Sequence, residues 1–148
     1  MRHGSLLAAV AATVLVAASP ADLPSIPELL AQGMRFLSDE DVLREFPGST
    51  FEVSLPGRGP AYVETFGRNG LRRLHSSEKR RTPDVTRQWW VEGGKLCLAV
   101  PDGAAECGRS IGRVGEDFYR LDENRVMARL RRIETPPTAR PTATGGGR

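Results

Sequence analysis

The two cysteines of this chain, Cys97 and Cys107, lie in a stretch that constrains its fold more than any other part. From Trp89 to Cys107 the sequence reads WWVEGGKLCLAVPDGAAEC, which also holds both tryptophans. Gly93-Gly94 between apolar runs is a two-residue hairpin turn, because both central residues of that turn need positive φ. Pro101-Asp102-Gly103 is a three-residue loop, with proline preset for the turn and glycine free to take the left-handed position. That loop sets Val100 against Ala104, and counting outward sets Cys97 against Cys107. Two cysteines opposed on neighbouring antiparallel strands reach disulfide geometry with little movement. The stretch predicts a disulfide-pinned β-meander, and the disulfide predicts an oxidising compartment.

Residues 1–21 have the layout of a secretory signal. Arg2 and His3 precede an apolar run from Leu6 to Ala18, and Ser19-Pro20-Ala21 offers a small-x-small cleavage site. The run is shorter than the roughly 20 apolar residues a membrane span needs. An exported chain, periplasmic or secreted and without stable membrane insertion, is therefore expected. Residues 22–37 read as a loosely ordered segment, with a short docking helix from about Pro27 to Gln32 as the alternative. Residues 38–134 form the ordered domain, and residues 135–148 are a Pro/Thr/Gly-rich tail with almost nothing apolar to bury.

The basic balance is carried by arginine, with Lys79 and Lys95 the only lysines. Abundant Ala, Gly and Pro beside it suggest the coding bias of a GC-rich bacterial genome. A formal net charge of +3 is too small for a nucleic-acid binder.

Ser38 followed by Asp39, Glu40 and Asp41 is a helix start: serine caps the free amides, and the acids suit the positive helix end. Leu37, Val42, Leu43 and Phe46 give that helix one apolar face, and Pro47-Gly48 ends it. Capping accounts for the carboxylates without a metal. Beyond Gly48 the period becomes two. Phe51, Val53 and Leu55 alternate, as do Tyr62, Glu64 and Phe66, and Asn69-Gly70 marks a tight turn. Residues 76–84 read as a polar loop, and strands follow around residues 109–114, 118–121 and 125–133. The pattern predicts an all-β fold with one short N-terminal helix. Its expected form is an antiparallel up-and-down meander of about eight strands, a small barrel whose closure the sequence leaves open, with a compact sandwich as the alternative.

These pieces resemble a group of small exported bacterial lipocalin-like domains of unknown function. The matching residues are the helix from Leu37 to Gly48, Tyr62-x-x-x-Phe66, Asn69-Gly70, Trp89-x-Val91, Leu96-Cys97, Cys107 and Phe118-Tyr119. The chain departs from the pattern at Arg87, where glycine is usual. The resemblance implies a fold and carries over no catalytic or binding residue.

Face assignment from the Gly93-Gly94 turn puts Trp89, Val91, Leu96, Leu98 and Val100 inside. Trp90 and the disulfide fall on the outer wall. Glu106, opposite Leu98, then points inward, where a carboxylate is costly unless paired or wet. Cavity candidates are Trp89, Leu98, Glu106, Tyr62 and Phe66, and side-chain filling of the barrel is the plainer alternative. His75 is the one imidazole outside the leader; alone it builds no metal site, and Glu64 or Glu78 are its possible acid–base partners. No convergent acid, base and nucleophile is found, so an enzyme is not expected, nor a cofactor or metal. The leading expectation is a binding protein for a small apolar or amphipathic ligand. The alternative is an interaction protein that meets an envelope partner through an arginine-rich loop, with Arg72, Arg73, Arg80 and Arg81 as its surface.

Overall fold

The computed structural model describes residues 22–76 and 84–133. The expected leader, the tail, and Lys79, Arg80 and Arg81 of the basic loop lie outside the described residues.

The elements in chain order are α1 (Ile26–Ala31), β1 (Arg35–Phe36), α2 (Asp39–Glu45), β2 (Ser49–Leu55), β3 (Gly59–Phe66) and β4 (Leu71–Ser76). They continue as β5 (Val85–Glu92), β6 (Lys95–Ala99), β7 (Ala105–Val114), β8 (Asp117–Asp122) and β9 (Arg125–Ile133). Each strand from β2 to β9 pairs antiparallel with its successor, and β9 returns to pair with β2. The sheet thus closes into an eight-strand barrel, with β1 added along β7. Closure removes the long exposed edges of an open meander, and it rules out the sandwich.

The central register follows the turn chemistry. Val91 faces Leu96, Trp89 faces Leu98, Trp90 faces Cys97, and Cys97 faces Cys107, to which it is disulfide-bonded. Gly93 and Gly94 both have positive φ, as a primed two-residue turn requires. Between Leu96 and Cys97 the ladder slips: Cys97 pairs with Cys107 but Leu96 pairs with Arg109, leaving Gly108 as an extra residue on β7.

One end of the barrel is packed solid. Phe46, Phe51, Phe66 and Phe118 meet mostly edge to face at centroid separations of 5.0–5.9 Å, and Trp89 adds its edge to Phe66 at 5.0 Å. Helix α2 delivers Phe46 and Val42 into this cluster, both fully buried, and so floors the barrel. Its cap is the expected one: Ser38 accepts from the Asp41 amide, and Asp41 returns a bond to the Ser38 amide. Asp39 serves elsewhere. Its carboxylate accepts from the Gly93 and Gly94 amides at 3.1 and 2.6 Å, which fastens the helix to the β5–β6 turn.

The segment before α2 corrects the expectation of loose order. Ser25 and Glu28 form a capping box that starts α1. Leu29 and Met34 are buried against the outward faces of Tyr119, Leu121 and Val126. The docking-helix alternative is the one observed, so the fold has two short helices where one was expected. Outward apolar residues on β8 and β9 need a cover, and α1 supplies it.

Candidate ligand-binding cavity

The inward residues of β3 show how the barrel changes character along its length. Phe66 belongs to the aromatic floor, Glu64 above it is wholly buried, and Tyr62 reaches a cavity at the far end. A carboxylate in that middle layer needs cationic partners. It has two: Arg72 of β4 donates to Oε1 through Nε, and Arg120 of β8 donates through one terminal nitrogen at 3.1 and 2.8 Å to the two oxygens. Both arginines are themselves buried. Ala128, directly across from Arg120 on β9, leaves the guanidinium room.

Burial, and then repulsion from Arg120, pulls Arg72 down to about 10, still fully cationic at neutral pH. Burial lowers Arg120 in the same way, opposed by Tyr62 and Glu106. The Nε–H of Arg120 remains buried with no partner of hydrogen-bond geometry among the described residues.

Over this layer lies a cavity of about 190 Å³ lined by Tyr62, Leu96, Leu98, Glu106, Arg109 and Arg120. The Gly108 bulge makes its wall. In an unbroken ladder Glu106 and Arg109, three residues apart, would face opposite sides of β7. With one residue extra, Glu106 stands opposite inward Leu98 and Arg109 opposite inward Leu96. The two charges approach at 3.9 Å. Glu106 is 55% exposed, so its inward position is a wet rim rather than a dry interior.

Of the expected cavity residues, Tyr62, Leu98 and Glu106 line this space together. Trp89 and Phe66 are instead packed against each other in the floor, as the filling alternative has it. The sequence reading missed Glu64, Arg109 and Arg120. Glu64 was within reach, because it shares a strand face with Phe66.

Arg72 corrects the partner-surface expectation, since it lies inside the barrel bonded to Glu64. The turn explains the error. A two-residue turn at Asn69-Gly70 would set Phe66 against Arg73. The observed loop is one residue longer, with Gly67 N–H donating to Leu71 O at 2.7 Å and Phe66 facing Arg72. A shift of one residue exchanges the faces of the whole strand, so Arg73 is the exposed arginine. His75 does not pair with Glu64, and Glu78 lies outside the described residues; the His75 Nδ1 lies 2.5 Å from Asp84, both side chains being exposed. A group formed by Glu92, Cys97 and Cys107 has both sulfurs spent in the disulfide.

A groove of 290 Å³ on the outer wall, lined by Thr65, Gly67, Asn69, Leu71, Arg73 and Thr86, is larger than the inner cavity. Its polar residues Arg73 and Asn69 are already in solvent, so no buried charge draws a ligand there. The chain matches no protein-family model, no curated protein and no solved structure.

Proposed function

We propose that this chain is an exported, non-enzymatic carrier of lipocalin-like type, holding one small amphipathic molecule in the open half of its barrel. A barrel of eight strands has an interior that side chains can fill, or that can take one small ligand. Here the five-ring aromatic cluster fills only one end. The observation that carries the reading is the cavity above it, where two leucines meet convergent polar groups in one small concave site. Export is supported by the Cys97–Cys107 disulfide, which persists in oxidising surroundings. Among the described residues no helix is long and apolar enough to cross a membrane.

Native mass spectrometry of the protein, purified gently from its own host, tests this. A carrier retains an adduct of defined mass that leaves on mild activation. A chain that remains bare, and acquires no adduct from a host lipid and metabolite extract, contradicts the proposal.

A further inference from the structure

The interior polar cluster is unbalanced in charge and in hydrogen bonding, and both imbalances have the same sign. Around the cavity and the layer beneath it, the guanidiniums of Arg72, Arg109 and Arg120 meet the carboxylates of Glu64 and Glu106. One positive charge is left over. It falls on the buried side: of the two carboxylates Glu64 is the one hydrogen-bonded to Arg72 and Arg120, while Glu106, 3.9 Å from Arg109 at the rim, reaches them only through its charge. The surplus also has a location. Arg120 is 7% exposed and lines the cavity, and its Nε–H is a buried donor with no acceptor among the described residues. Tyr62 supports the guanidinium charge but leaves that donor without a bond of good geometry. A buried cationic donor without an acceptor is costly, and an anion in the adjoining cavity offsets the surplus charge it carries.

We propose that the ligand of this barrel is a small monocarboxylate, its head group paired with the guanidiniums of Arg120 and Arg109 in the cavity wall and its short aliphatic chain against Leu96 and Leu98. This rests on the carrier reading and names the ligand's chemistry. The size of the cavity supports a compact molecule: about 190 Å³ is the space of roughly six water molecules at 30 Å³ each. An alkyl chain of about six carbons fits, with any longer chain emerging at the rim. A cationic ligand would add to the surplus charge. An alcohol could accept the bond but would leave the charge uncompensated.

The test is an arginine side-chain ¹H–¹⁵N titration of the full disulfide-bonded chain with hexanoate, hexanol and hexylammonium. The Arg120 Nε signal is assigned by its loss in Arg120→Lys and, should that variant not fold, by through-bond correlation to its own backbone. Hexanoate is expected to shift this signal saturably, and hexylammonium to leave it in place. Arg109→Gln, a rim substitution, should weaken hexanoate binding roughly tenfold, the scale of one charge-assisted hydrogen bond. Glu106→Gln should tighten it by freeing Arg109. If hexanol binds as tightly as hexanoate and the Arg120 signal does not move, the carrier reading stands and the carboxylate proposal falls. If none of the three probes binds at millimolar concentration, the carboxylate proposal falls, and the native mass spectrum alone decides the carrier reading.

Discussion

Glu64 is the residue on which the interior depends. It is a fully buried carboxylate held by two buried arginines, and a buried ion pair broken on one side leaves the other charge uncompensated. Glu64→Gln should therefore lower stability to urea unfolding by about 3 kcal/mol or more. Asp84→Asn, which removes the exposed partner of His75, should cost no more than about 0.5 kcal/mol. Equal effects of the two substitutions would contradict the burial argument. Part of this cluster was legible in the chain. Alternation of Tyr62, Glu64 and Phe66 places Glu64 inside as soon as Phe66 is assigned to the core. Arg72 was not, because its face depends on one residue of loop length at Asn69-Gly70. Arg120 was not either, since only closure of the barrel brings β8 to Glu64 from 56 positions away.

Among the elements, α2 does most to decide which end of the barrel is open. Phe46 and Val42 anchor it in the core, and Glu45 ties it to Arg113 of β7 at 3.1 Å and Arg132 of β9 at 3.0 Å, the cross-strand partners of Phe118 and Phe51. Arg132 also lies over the Phe51 and Phe118 rings, so the clamp rests on the aromatic floor itself. Burial raises the Glu45 carboxyl, but the Arg132 hydrogen bond and the charges of Arg113, Arg132 and Arg44 outweigh it and hold it below the ordinary 4.5. The folded state thus favours the ionised form. The resulting stability is fully present above the ordinary value and is lost as pH falls through the lowered one. Wild type should exceed Glu45→Gln by up to about 1 kcal/mol at neutral pH, the scale of a partly exposed ion pair. That gap should close progressively in the acid range below 4.5 when unfolding is measured in a pH series. A gap that widens as pH falls would contradict it. The central hairpins were legible almost residue by residue, since glycine pairs and a Pro-Asp-Gly loop admit few registers. The Gly108 bulge was not, because the counting that opposed Cys97 to Cys107 stops short of the slip beyond it. That slip is what turns Arg109 inward.

Across the whole molecule, one barrel is divided between two environments. Aromatic rings and α2 close one end, a buried Glu64–Arg72–Arg120 layer crosses the middle, and a small cavity opens above it at Glu106. The up-and-down meander was legible from strand count and short connections, with the edge problem favouring a barrel; that β9 returns to close it on β2 was not. How far its interior is filled was not, because that depends on which side chains meet across strands distant in sequence. The measurement that tests the division most directly compares native mass spectra of the wild-type chain and Leu98→Trp after exposure to the same host extract. Leu98 lines the cavity and takes no part in the buried hydrogen-bonded ion layer, so a larger ring there should fill the open half and leave the fold intact. The account predicts a releasable adduct on the wild type and none on a folded Leu98→Trp. An adduct retained equally by both would contradict it, placing the bound molecule somewhere other than inside the barrel.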